Sequence, residues 1–463
     1  MCLGAYELGR LLSRAPGGAG SLLIRGGLVV TMNPRREIMS ADIYVEDGRI
    51  AEIPSRHTAA DLVIDATGQL VLPGLIQTHV HLCQTLFRGS ADDLDVVEWL
   101  RQRIWPLEQV HDFTSVYDSA RLGIVELLRG GTTTALTIET VRHTEAVFMA
   151  LAETGLRAVT GKAMMDRLEV ATEMIGETTE ESLRESLALA KEYHQSSGGR
   201  LGYAFCPRGP RNCTEELWDS VIAAAMELGT IVHTHAAENF LQSQRLKTDG
   251  GTDIRYLHGL GATAGRLVVA HAVWVDEEEI ALLADSGTAV AHCPSANMKL
   301  ASGFAPVPEM RDRGVIVGLG ADGAPCNNTL DAFHEMRMAA LIHKPRLGAQ
   351  VMSAQEVLEM ATIDGARSLG LELEIGSLEA GKRADIILLN REGSHLWPQS
   401  NVDPIVQVVY QHRASDVSTV LVDGRVLLAD GELTELDADE IHARAEESAR
   451  RVFARVAASG ALR

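Results

Sequence analysis

Four histidines and an aspartate recur in this chain at intervals that suit a metal. His79 and His81 close the run VLPGLIQTHVHL, His235 and Glu238 lie in TIVHTHAAEN, His271 falls in RLVVAHAVW, and Asp322 closes VIVGLGADG. Imidazole suits a borderline divalent ion, and a carboxylate can complete the shell while leaving room for water. A metal held this way lowers the pKa of its water toward about 7, so hydroxide becomes available at neutral pH. The chemistry on offer is metal-assisted hydrolysis.

One residue separates His79 from His81, so on a strand both rings point to the same face. His235 is paired with His233 two positions earlier; His235, nearer the strand end, is the expected ligand, and His233 is left to hydrogen-bond deeper inside. Glu238 follows beyond the strand, where a carboxylate could move a proton between water and a ring nitrogen. His271 could hold or orient the attacking water. Asp322, in GLGADGAPCNN, sits among small residues that permit close backbone approach to a ligand. It could bind the ion, take a proton from the water and pass it to a leaving amine. Singly, each has a plainer reading: a capping acid, a core histidine, a turn aspartate. Their shared register at strand ends favours a site.

The elements that would position them follow from a change of rhythm. Over residues 71–370, short apolar runs (LPGLIQTH, TTTALT, RAVTGKAM, LGYAFCP, TIVHTH, LVVAHAV, TAVAHCP, VIVGLGAD) alternate with helical patterns such as EEIALLADSG. Runs of this kind are parallel strands covered on both faces. Eight units predict an α/β protein with a (β/α)8 TIM-type barrel, whose chemistry sits at the carboxyl ends of the strands. Residues 21–70 and 371–435 show short alternating strands with Asp-Gly turns, which predict a small β-sandwich domain built from both chain ends. Residues 436–463 read as a C-terminal helix and 1–20 as an N-terminal extension, not a secretion signal.

Composition excludes several partners. The formal charge of −21 argues against a nucleic-acid backbone, which needs clustered Lys and Arg. No apolar stretch reaches the roughly 20 residues that a membrane helix requires. The six cysteines are scattered with no C-x-x-C pair, as expected for reduced thiols in a cytoplasmic protein. A small heterocycle is the expected partner, and a homo-oligomer, dimer or higher, the expected assembly.

PGLIQTHVH, HTHAAE, AHA, GADG and the closing EIGSLEAGKRADIILLN resemble the amidohydrolase superfamily across almost the whole chain. HCPSANMKLASGFAPVPEM followed by GLGADGAPCNN is similar to its aminohydrolase branch of adenosine-type and triazine-type deaminases and hydrolases. The resemblance implies one divalent metal on His79, His81, His235 and Asp322, with Glu238 and His271 as acid–base partners. Zn²⁺ is the expected ion, and Fe²⁺ or Mn²⁺ fit the same donors. Relatives with two metals carry a carboxylated lysine after the fourth strand; here LGYAFCP runs into Arg208, and Lys162 falls on the third strand.

Substrate choice rests on Gln84, Arg208 and Glu108. An amide and a guanidinium can together read the carbonyl and ring nitrogens of a guanine-like base, and H-x-H-x-x-Q with a strand-ending Pro-Arg resembles the guanine deaminase pattern. Gly209, where those proteins have Phe, and Gly-Ala-Pro-Cys-Asn-Asn after Gly320-Ala321-Asp322 depart from it toward the adenosine type. Glu108, in IWPLE, occupies the position that grips ribose hydroxyls in adenosyl-type members. The expected activity is hydrolytic deamination of a purine-like ring, guanine first. The alternatives are an adenosyl-type nucleoside (methylthioadenosine or S-adenosylhomocysteine), a pterin, or triazine amino- or chlorohydrolysis. Trp99 and Trp105 read as core beneath the loop.

Overall fold

The first strands turn one row of side chains inward, as a sheet with one packed face requires. β1 (Ser21–Val30) pairs antiparallel with β2 (Ile38–Glu46), where Ala41, Ile43 and Val45 are buried and Asp42 and Tyr44 only half-covered. β2 returns as β3 (Arg49–Glu52) through Asp47-Gly48, both at positive φ (49° and 77°). A two-residue hairpin of this hand matches the twist of its strands. β4 (Leu62–Asp65) and β5 (Leu70–Pro73) both pair with β1 in parallel. The computed structural model describes residues 20–167, 175–240 and 251–460, so all but Gly20 of the expected extension lies outside the described residues.

After β5 the burial pattern changes. β6 (Leu75–His81), β7 (Thr132–Glu139), β8 (Arg157–Met164) and β9 (Leu201–Pro207) are buried at every position. β10 (Ile231–Ala236), β11 (Arg266–His271), β12 (Ala289–His292) and β13 (Val317–Leu319) complete a parallel set, and Leu319 pairs with Gln77 to close the ring. Eight parallel strands thus form the expected barrel. Its interior is filled largely by small and branched residues, among them Ile76, Ile138, Val159, Ala204, Val268 and Ala291. The expected eighth strand, VIVGLGAD, is broken: Asp322-Gly323 forms a separate short β14 beside Val80 and His81.

Helices between the strands begin where the sequence supplies caps. The segments Phe113–Arg129, Thr179–Tyr193 and Glu277–Ser286 start with reciprocal capping boxes on Asp112/Ser115, Thr178/Glu181 and Asp276/Glu279. Near the C-terminus, β15 (Ile386–Leu389), β16 (Val417–Val422), β17 (Arg425–Ala429) and β18 (Glu432–Leu433) extend the first sheet, because β15 pairs antiparallel with β5. Hydrogen bonding therefore makes the outer domain one continuous sheet, and its two halves share a core of Ile24, Ile43, Val71, Ile386, Leu388 and Leu421. A buried ion pair joins it to the barrel: Arg157 Nε lies 2.7 Å from Asp385 Oδ2.

The helix Ala438–Ser459 lies against Phe113–Arg129, where Ser448 Oγ donates to Asp118 Oδ2 at 2.5 Å. Its Val452 and Val456 share a core with Leu86, Phe87 and Trp99, so it backs the loop that carries Gln84 and Glu108. No helix among the described residues is long and apolar enough to cross a membrane. Cys83, Cys206, Cys213, Cys293 and Cys326 are buried free thiols.

Candidate active site

His79 and His81 reach the barrel mouth from the end of β6, as their spacing requires. Their Nε2 atoms lie 3.4 and 3.2 Å from Asp322 Oδ1, and His235 Nε2 lies 3.3 Å from His81 Nε2. His271 Nε2 stands 4.0 Å from Asp322 Oδ2 and 3.9 Å from Glu238 Oε2. Four rings and two acids, drawn from β6, β10 and the turn that follows it, β11 and β14, thus meet at one point.

Two glycines let them meet. A Cβ on Gly320 would sit 2.6 Å from the His79 carbonyl oxygen, and one on Gly323 would sit 2.3 Å from Gln84 Oε1. Small residues in GLGADG therefore admit the chain against His79 and Gln84, not directly against a ligand. His271 (φ 76°), Ala272 (φ 46°) and Asp322 (φ 63°) all occupy the left-handed region, which costs a non-glycine residue roughly 1 kcal/mol or more. The surrounding packing holds them there.

The hidden ring nitrogens fix which way each imidazole faces. His81 Nδ1 donates to the Ile138 carbonyl and His235 Nδ1 to the Arg208 carbonyl, each at 2.6 Å. His271 Nδ1 donates to Asn297 Oδ1 at 2.9 Å. His79 Nδ1 lies 2.9 Å from His233 Nε2. Every Nε2 is left facing into the cluster, and His79 Nε2 is buried with no hydrogen-bond partner. An orphaned buried acceptor within a set of imidazoles and a carboxylate is what a divalent ion would satisfy.

Electrostatics agree. Burial pushes His79 down to about 4 and His235 well below its usual range, so both are neutral, as ligands must be. Burial pushes Asp322 up, but the neighbouring His79 and His81 imidazoles outweigh it and hold the carboxyl well below the carboxylate range. His81 runs the other way: Asp322 outweighs burial and raises it. Glu238 is raised, chiefly by burial, which suits a group that must deliver a proton.

A cavity of about 280 Å³ opens above the cluster, bordered by Gln84, Trp99, Trp105, Arg208, Glu238 and Leu300. Trp99 and Trp105 are core residues that also form its wall. Glu108 lies behind this wall: its carboxylate takes Arg208 Nη1 at 2.7 Å and Nη2 at 3.1 Å, and Gln84 Nε2 at 2.8 Å. The Gln84–Arg208 pair that suggests a guanine reader is therefore already engaged on Glu108.

Lys162 points away from the mouth and pairs with Glu177. Two residues escaped the sequence reading. Asn297 lies inside the quoted HCPSANM, directly after a strand end. Glu139 is an acid at the carboxyl end of β7; its Oε2 accepts from the Cys83 amide at 2.8 Å, and burial raises it to about 7.

The amidohydrolase family matches residues 70–427. A 5-methylthioadenosine/S-adenosylhomocysteine deaminase of Moorella thermoacetica is 41% identical over 387 residues, 83% of this chain and 88% of its own. A 5'-deoxyadenosine deaminase of Methanothermobacter thermautotrophicus is 39% identical over 435 residues, 93% and 98%. An adenosine deaminase of Xanthomonas campestris, solved with bound zinc, superposes with a TM-score of 0.87 at 30% identity, covering 94% of this chain and 98% of that one. These names favour the adenosyl-type alternative over the guanine-first expectation.

Proposed function

The chain belongs to the amidohydrolase family, hydrolases of C–N bonds, and on that footing we propose that it deaminates an adenosyl-type nucleoside at one divalent metal, with Zn²⁺ the expected ion. One observation carries the reading: four Nε2 lone pairs and the Asp322 carboxylate converge beside a protonatable Glu238 at the foot of the cavity. His79, His81, His235 and Asp322 would hold the ion. Bound there, it lowers the pKa of a water toward about 7 and so supplies the nucleophile.

The chain's own groups manage the protons. Glu238, whose carboxyl burial shifts upward, gives its proton to the ring nitrogen beside the carbon under attack. His271, aimed by Asn297, accepts a hydrogen bond from the incoming water and steadies its approach. Asp322 takes the proton that the water loses and passes it to the leaving amine. One water is consumed, one ammonia leaves, and an oxo group replaces the amine as the remaining hydroxyl proton returns to Glu238.

Gln84 and Arg208 are assigned to the substrate face of the cavity. Glu108, rather than gripping the substrate alone, holds both in place and leaves Gln84 Oε1 without a hydrogen-bond partner. The deciding experiment is ammonia release from the metal-loaded protein over methylthioadenosine, S-adenosylhomocysteine, 5'-deoxyadenosine, guanine, a pterin and a triazine. Higher kcat/KM on the adenosyl compounds is expected. A preference for guanine would overturn the substrate assignment, and silence on all six would overturn deamination.

A further inference from the structure

We infer that His233 is a positioning residue for this site, one that sets the tautomer of His79 and thereby presents its Nε2 to the ion. The inference rests on the metal reading above. His233 lies inside the barrel on β10, fully buried, two residues before His235 and pointing deeper. Its Nδ1 is 2.9 Å from the Val268 carbonyl oxygen. A carbonyl only accepts, so Nδ1 carries the single proton of a neutral ring, and Nε2 is an acceptor. The atom 2.9 Å from that acceptor is His79 Nδ1, which must therefore donate. His79 is then left with a bare Nε2, the form that binds a cation.

The other rings show why this relay matters. His81 and His235 are oriented by backbone carbonyls, which no side-chain substitution removes. For His79 the orienting acceptor is a side chain. Without it, His79 can shift its proton to Nε2 and turn a donor toward the ion. A residue that merely fills the barrel would be replaceable by an apolar side chain of similar volume, which gives the two roles different outcomes.

The test compares His233→Leu and His233→Met with His233→Gln in the full-length protein. Apparent Zn²⁺ affinity is measured by chelator competition, with Tm of the metal-free forms as the control for folding. Methionine adapts to irregular space and guards against a variant that fails to fold. Loss of an outer-shell partner weakens metal binding roughly 10–100-fold. We expect that loss in the apolar variants, an unchanged metal-free Tm, and substantial recovery in Gln, whose amide oxygen can accept from Nδ1. Wild-type affinity in a folded apolar variant, or a Gln variant no better than Leu, would overturn the inference. If the wild-type protein takes up no stoichiometric Zn²⁺, the site reading itself fails, which separates the two.

Discussion

Replacing Glu108 by Ala should damage this protein more than its position behind the cavity wall suggests. Its side chain is 4% exposed and that of its partner Arg208 is 8% exposed. The substitution would leave a guanidinium buried with neither forked hydrogen bond, and Gln84 would lose the acceptor of its amide. Breaking a buried pair from one side costs about 3–5 kcal/mol, because the remaining charge is uncompensated. Unfolding entropy of about 2.1 cal/mol/K per residue gives roughly 1 kcal/mol/K for a chain this long, so Tm should fall by roughly 3–5 °C.

Differential scanning calorimetry of the wild type, Glu108→Ala, and the double variant Glu108→Leu/Arg208→Met provides the check. The double variant removes both charges and should recover much of the loss. Acid gives a second signature. Burial pushes the Glu108 carboxyl up, but Arg208 and Gln84 outweigh it and hold it below its usual range. A depressed carboxyl adds stability that is complete above about pH 4.3 and is lost as pH falls through its folded value, so the gap to the variant should narrow in acid. An unchanged Tm for Glu108→Ala, or a double variant worse than the single, would refute the argument.

Other perturbations should separate chemistry from support. Glu238→Gln should lower kcat by roughly 10²- to 10⁴-fold while metal content, read by atomic absorption, stays at the wild-type value. Gly320→Ala would force a Cβ to within 2.6 Å of the His79 carbonyl oxygen, and bound metal and Tm should fall together. Arg157→Met would strand Asp385, whose side chain is 2% exposed, at a cost of about 3–5 kcal/mol. Because Arg157 begins β8, far from the mouth, kcat at low temperature should be unchanged.

Much of the candidate metal cluster was legible because it depends on period and register. His79 and His81 share a face by spacing alone, and His235, His271 and Asp322 each follow an apolar run at the end where a barrel keeps its chemistry. The eighth strand was read too long: its ladder runs only over Val317–Leu319, and Asp322-Gly323 pairs separately with Val80 and His81. Glu108, Gln84 and Arg208 were picked out singly, but 100 residues separate Glu108 from Arg208, and sequence carries no sign that they neutralise each other. Asn297 and His233 were present in quoted motifs. Their work lies in the unseen nitrogen of a neighbouring ring, which only coordinates reveal. The relatives favour the adenosyl-type alternative over guanine, and residue types alone gave the donors of Gln84 and Arg208 without showing that both are held by Glu108.

The outer sheet also dictates an order of events during synthesis. β5 is complete at residue 73, yet its neighbour β15 begins at 386, after every barrel strand has been made. On the ribosome the barrel can close through Leu319 and Gln77 while one edge of the β1–β5 sheet stays unpaired, at about 5–20 residues per second for many seconds. An open strand edge is a template for other chains. Nascent chains stalled before residue 386 should therefore engage chaperones or aggregate, and release of the last strands should end that exposure.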